Sequence, residues 1–403
     1  MTTIGEIAEV FDGPHATPKK LPSGPYFLSI SSLNKGRLDL TKSAFLSEED
    51  FKKWTKRITP KEGDLLFSYE TRLGEAALMP AGVRACLGRR MGLLRFNKAK
   101  AIPEYVLYAY LSPAFQQTIK ANTLTGATVD RLSISEFPNF PIRIPPLEEQ
   151  KKVANLLGSI DKKIALNNRI NAELEVMAKT LYDYWFVQFD FPDANGKPYK
   201  TSGGKMVYNA TLKREVPVGW AVNTLSQIAN ITMGQSPAGE SYNEDGIGTL
   251  FFQGSTDFGW LFPTPRQYTT SPARMAKKGD ILLSVRAPVG DMNIANADCC
   301  IGRGLAALNS KSHSDGFLFY VMKYFKQIFD RRNAEGTTFG SMTKDDLHSL
   351  QVVCPEPGLL KRYDDIVSEY NKMIFSRSLE NQDLIKLRDW LLPLLMNGQV
   401  TVK

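Results

Sequence analysis

The sequence predicts an α+β protein: one globular module present twice, joined by two long antiparallel coiled-coil helices with pseudo-twofold symmetry. Three observations point there. Short segments recur in order, so that Thr3-Ile4-Gly5-Glu6-Ile7-Ala8 returns as Thr224-Leu225-Ser226-Gln227-Ile228-Ala229. Lys61-Glu62-Gly63-Asp64-Leu65-Leu66 returns as Lys277-Lys278-Gly279-Asp280-Ile281-Leu282, and Cys86-Leu87-Gly88-Arg89 as Cys300-Ile301-Gly302-Arg303. Each copy then ends in a heptad pattern, and the offset between copies falls from 221 to 210 residues as loop insertions would make it.

The first module covers residues 1–146. Strands are expected at 25–30, 64–68, 91–96 and 140–144, separated by Pro- and Gly-rich turns such as Leu21-Pro22-Ser23-Gly24-Pro25. Helices are expected over 47–56, with Ser47 as N-cap, and over 104–121. A spacer helix over 147–187 carries periodic positions, mostly apolar, at alternating spacings of four and three, from Val153, Leu157, Ile160 and Ile164 through Asn167, Asn171, Leu174 and Ala178 to Leu181 and Trp185. That is a heptad seam. Residues 188–219 read as a linker. Residues 220–357 repeat the module, with a strand at 280–284 and a helix at 316–333. A second spacer helix over 358–398 repeats the seam, with Ile374, Asn381, Leu384 and Leu391 at the positions of Ile164, Asn171, Leu174 and Leu181. Seams of equal length and register are expected to pack on each other, with Asn171 and Asn381 fixing register at a cost in stability. At 1.5 Å per residue, such a helix is about 57 Å long.

The 403 residues carry a net charge of +8, with 43% hydrophobic and 23% charged residues, as in ordinary globular proteins. No apolar run reaches the length of a membrane span, and a cytoplasmic protein is expected. The four Cys form no CxxC pair and the three His are scattered, which argues against a structural zinc site. Cys86 and Cys300, at matching positions, read as reduced core residues. Basic residues outnumber acidic ones 20 to 14 in residues 1–146 but only 15 to 14 in residues 201–357. Such an excess permits nucleic-acid binding without establishing it.

No phosphate-loop, methylase, dinucleotide-binding, HExxH or GxSxG pattern occurs, so the chain reads as a binder rather than an enzyme. Several segments resemble the specificity subunits of type I restriction–modification enzymes, over nearly the whole chain. They are Thr125-Gly126-Ala127-Thr128; Phe140-Pro141-Ile142-Arg143-Ile144-Pro145-Pro146-Leu147-Glu148-Glu149-Gln150; Ile160-Asp161-Lys162-Lys163-Ile164; Leu181-Tyr182-Asp183-Tyr184-Trp185-Phe186; and Gly219-Trp220. The resemblance implies two target-recognition domains that each read half of a split double-stranded DNA sequence. It implies spacer helices that set the gap and dock two methyltransferase subunits, with restriction subunits joining. It places S-adenosylmethionine, ATP and magnesium on those partners, leaving no cofactor and no catalysis on this chain. The second copy departs where Glu148-Glu149-Gln150 becomes Gly358-Leu359-Leu360, so docking at that end is expected to differ. The alternative is a coiled-coil adaptor with two protein-binding heads.

Base readers are expected on loops carried by a rigid scaffold. In the first module these are His15, Thr17, Lys19 and Lys20 on one loop, Tyr69, Glu70 and Arg72 after a strand, and Arg89 and Arg90 after a glycine. In the second they are Gln235, Ser236, Gln253, Arg286, Arg303 and Lys344. Arg89 and Arg303 are repeat-equivalent, which suits either a phosphate contact or an internal salt bridge.

Overall fold

The structure, a computed structural model, describes residues 2–14, 17–125, 129–334 and 341–402. It divides into two compact units, one of residues 1–165 with 383–403 and one of residues 166–382.

In the first unit, β1 (Ala8–Asp12), β6 (Met91–Phe96), β3 (Leu65–Ser68) and β4 (Ala76–Leu78) form one antiparallel sheet in the order β1-β6-β3-β4. A second sheet sets β2 (Leu21–Phe27) parallel to β5 (Ala85–Cys86). The unbroken apolar run of β3 is explained by burial on both faces. Leu65 and Phe67 enter one core with Leu94, while Leu66 enters another with Met91 and Leu93. Successive strand residues point to opposite faces, so one strand serves two cores. Helix α1 (Glu48–Trp54) starts where the Ser47 hydroxyl accepts the Asp50 N–H at 3.1 Å.

The single helix expected over 104–121 is two helices, α2 (Pro103–Leu111) and α3 (Pro113–Ala121). Pro113 offers no N–H and forces Ser112 into an extended conformation, with φ −66° and ψ 149°. Ser112 then caps α3. Helix α4 (Leu147–Tyr182) follows and runs on into the second unit.

The second unit repeats this plan. Strands β7 (Ala229–Met233), β12 (Leu305–Ser310), β9 (Ile281–Ser284) and β10 (Met292–Ile294) form the antiparallel sheet β7-β12-β9-β10. Strand β8 (Thr249–Phe252) lies parallel to β11 (Cys299–Ile301). Ile281 and Leu283 face one core, and Leu282 faces the other. Helices α5 (Asp315–Ala334), α6 (Lys344–His348) and α7 (Pro357–Met396) complete the set. The repeated Gly-Asp before β3 and β9 also has a structural cause. Gly63 and Gly279 sit at φ +82° and +97°, and the next carboxylate accepts a turn N–H: Asp64 from Lys61 and Asp280 from Lys277, both at 2.8 Å.

Residues 188–219 carry a hairpin, Met206–Asn209 with Arg214–Pro217. Phe191 stacks on Tyr199 and Trp220 at centroid distances of 4.6 and 5.0 Å. Cys86, Cys299 and Cys300 are buried and unpaired, and burial pushes the Cys86 and Cys299 thiols up to about 12. Thiols so placed are inert at neutral pH. No helix among the described residues is long and apolar enough to cross a membrane.

The seam is seen within each unit. In the second, the Asn167 amide donates to Asn381 at 3.0 Å, Asn381 donates to Asn168 at 2.9 Å, and Asn171 donates to the Ser378 hydroxyl at 3.2 Å. Residue numbers rise on one helix as they fall on the other, so α4 and α7 run antiparallel there. That direction explains why Asn171 and Asn381 do not pair with each other. Ile164, Leu174 and Ile374 are buried on the seam, while Leu181, Leu384 and Leu391 are half-buried.

Candidate nucleic-acid interface

Antiparallel pairing decides which strand ends meet. Gly92 lies opposite Asp12 and Met91 opposite Ser68, so the C-terminal ends of β1 and β3 flank the N-terminal end of β6. The turn from β5 into β6 ends there too. The loops after β1, β3 and β5 therefore converge on one rim of the first module. In the second module, Met233 lies opposite Ala306 and Ser284 opposite Leu305, and the same rim forms.

Both rims are closed by one device. The Gly13 N–H donates to Met91 O at 2.7 Å, and the Gly234 N–H donates to Leu305 O at 2.9 Å. A Cβ on Gly13 would meet Gly88 O at 2.5 Å, and one on Gly234 would meet Gly302 O at 2.1 Å. Glycine is required because two backbones touch, which holds the loop after β1 or β7 against the arginine-bearing turn.

The second rim gathers the expected readers closely. The Ser236 hydroxyl lies 2.9 Å from Gln253 Nε2 and 3.1 Å from Gln253 Oε1. It also accepts the Arg303 backbone N–H at 3.3 Å. Gln235, Gln253 and Arg303 are exposed. One step along, the Val285 N–H donates to Gly304 O at 2.9 Å, and Arg286 bridges Ser341 in antiparallel fashion. Arg286 and Lys344 are exposed. An amide, a hydroxyl and guanidinium groups thus share one rim, which is the chemistry that reads base edges and phosphates.

The first rim is more internally paired. Thr17, Lys19, Lys20 and Arg89 are exposed, and His15 lies outside the described residues, as do Gly126, Ala127 and Thr128. Arg90 Nε forms an ion pair with Glu70 at 3.2 Å, and Arg72 donates to Ile30 O at 2.9 Å and reaches Glu75 at 3.3 Å. Arg72 therefore braces the loop. Tyr69 is a correction: it is only 7% exposed and lies in the core with Leu65 and Phe67. Burial, then the nearby Asp12 and Glu70, raise its hydroxyl above the usual tyrosine range, so it stays neutral. Strand alternation continued from Leu65 through Phe67 points Tyr69 inward, a signal present in the sequence.

Arg89 and Arg303 make no side-chain ion pair among the described residues. Glu70 and Arg286 occupy one structural position, because Ser68 and Ser284 each donate to their carbonyls at 2.8 Å. Sequence reasoning missed Arg131, exposed and bridged to Glu70 as Ser341 is to Arg286. The signal available was its place one residue before Leu132, whose N–H donates to Tyr69 O as that of Met342 does to Val285 O, each at 2.8 Å.

The expected family motif also has an internal use. The buried Gln150 accepts the Ile102 N–H at 2.8 Å and donates to Pro145 O and Lys100 O at 2.8 and 3.0 Å. It clamps the start of α4 to its own module.

Comparison with known proteins agrees with this arrangement. The family model "Type I restriction modification DNA specificity domain" matches residues 1–176 and 217–358. The MjaX type I restriction enzyme specificity subunit of Methanocaldococcus jannaschii is 32% identical, covering 100% of this chain and 96% of that protein. The MjaIX specificity subunit of the same organism is 24% identical over 100% of this chain and 90% of its own. The solved S subunit of a type I restriction–modification system from M. genitalium shares the fold, with a TM-score of 0.59 at 17% identity, covering 98% of this chain and 95% of that one. A repeated module with a repeated rim, matched in both copies, places the chain in the type I restriction–modification DNA specificity family.

Proposed function

We propose that this chain is the non-catalytic reader of a bipartite, gapped duplex target, with each module reading one half-site through its rim. The observation that carries this reading is the pair of equivalent exposed arginines, Arg89 and Arg303, set among unlike neighbours. Glu70 stands where the other rim has Arg286. Equivalent arginines suit phosphates, which carry no sequence, and unlike neighbours suit two different half-sites. Among the expected readers, Thr17, Lys19, Lys20, Glu70 and Arg90 serve the first rim with Arg131 added. Gln235, Ser236, Gln253, Arg286 and Lys344 serve the second.

In this reading α4 and α7 set the gap and dock two methyltransferase subunits. Restriction subunits join them, and the partners bind S-adenosylmethionine, ATP and magnesium. The helix length limits half-site centres to roughly 17 base pairs apart at 3.4 Å per pair. The test is methylation mapping of DNA from cells carrying this chain and its methyltransferase. A split motif with two unlike halves is expected; a single contiguous motif would overturn the reading. Lengthening α4 and α7 by one heptad each should widen the gap.

A further inference from the structure

A cavity of about 350 Å³ opens beside the rim of the first module, lined by the end of α1, by Asp12 to Pro14 and by Leu87. Its cations are Lys53, Lys56 and Arg57, and its one carboxylate, Asp12, is ion-paired to Arg57. Lys53 and Lys56 are exposed and make no hydrogen bond or ion pair among the described residues. Three cations against one carboxylate leave the lining two charges positive. Pro14 leads into the loop of Lys19 and Lys20, and Leu87 lies two residues before Arg89. The groove is therefore continuous along the chain with the rim's other exposed cations.

The second module has no counterpart of α1 at the matching place among its described residues. Between Phe252 and Ile281 its described residues hold strands and one 3-10 turn but no α-helix. Two of its cations there are engaged: Arg266 pairs with Asp257 at 2.7 Å and Lys277 with Asp298 at 2.9 Å.

We infer that the Lys53–Lys56–Arg57 groove is a phosphate-backbone site, so that the first module anchors the duplex electrostatically beyond its own half-site. Resting on the duplex-reading function above, this assigns a contact that carries no base information. Each phosphate neutralised releases counterions and steepens the fall of log K with log salt by about 0.9. A site on two free lysines should then account for about 1.8 of that slope, and for the same amount on any sequence.

The experiment titrates the full chain onto a fluorescein-labelled, mixed-sequence duplex across a salt series. It compares wild type, Lys53→Gln/Lys56→Gln, and Lys61→Gln/Lys98→Gln. The last pair is exposed at the opposite ends of β3 and β6 and removes the same charge. A thermal melt checks that each variant folds. The slope is expected to fall by about 1.8 in the groove variant and to hold in the other. An unchanged slope in the groove variant, or an equal loss in both variants, overturns the groove while leaving duplex reading intact. A wild type that does not bind duplex overturns both.

Discussion

The two units attach the same module to the same kind of helix by different chemistry. In the first unit the junction adds a polar network to the apolar packing of Val153 and Leu157. The Tyr108 hydroxyl donates to Asp161 at 2.6 Å, Arg388 donates to the other carboxylate oxygen at 2.9 Å, and Arg37 stands 3.9 Å away. Gln150 adds three hydrogen bonds. In the second unit the junction is aromatic. Phe186 lies 4.9 Å from Tyr363 and 5.0 Å from Phe317, with Tyr182 and Trp185 around them. There the hydroxyl of Tyr320 is buried with no hydrogen-bond partner among the described residues. Where the first copy has Gln150 the second has Leu360, which packs against this core. The departure from the family motif is thus an exchange of a hydrogen-bonded clamp for apolar burial. The lesson is that the repeat conserves geometry, and either kind of contact can supply it.

That contrast can be broken at four places. The largest loss is expected from Tyr363→Ala, which removes a fully buried ring touching four others. It should cost about 3–5 kcal/mol, by analogy with other large aromatic truncations. Urea unfolding followed by tryptophan fluorescence would show it, and a loss below about 1 kcal/mol would mean that the cluster is not what holds the second junction. Next, Gln150→Leu converts the first junction to the residue type of the second. It strands one N–H and two carbonyls, and a destabilisation of about 2–3 kcal/mol is expected. A neutral result would show that the two devices are interchangeable in place.

Asp161→Asn comes third. Its carboxylate and Arg388 are each about a quarter exposed, with side-chain exposures of 27% and 25%, so solvent screens the pair. A loss of about 1 kcal/mol is expected, and it should shrink in high salt; an effect insensitive to salt would mean the ion pair is not its source. The smallest effect concerns Asp364. Its carboxylate accepts the Phe317 N–H at 3.1 Å near the start of α5, and burial raises its pKa above the ordinary value. A carboxylate with a raised folded pKa costs stability when ionised, and the cost is relieved as pH falls through that pKa towards the unfolded value. The stability gained by Asp364→Asn over wild type should therefore be greatest near neutral pH and shrink towards acid. A gain that grows on acidification would reverse the sign.

Much of the architecture was legible because it is periodic. The heptad alternation and the ordered repeat both survive loop insertion, and the strand runs at Leu65 and Ile281 are continuous enough to read. The break at Ser112 is legible in Pro113, which disfavours a helical residue before it whatever the apolar pattern around it. The rims were legible only in part. Ser236, Gln253 and Arg303 are far apart in sequence and meet because antiparallel pairing brings strand ends together, which no local pattern reveals. Arg72 and Arg90 looked free because an arginine's partner is invisible in sequence; here Glu75 and Glu70 engage them. The cations at the end of α1 and the turn before Arg89 are some thirty residues apart and line one cavity only in the fold, which no local pattern reveals.

Module-by-module reading is tested most directly by replacing residues 1–146 with the same region of a relative and mapping methylation in cells that also carry the methyltransferase. One half-site should change while the other half-site and the gap stay as they were. A change in both halves, or in neither, would contradict reading by separate rims.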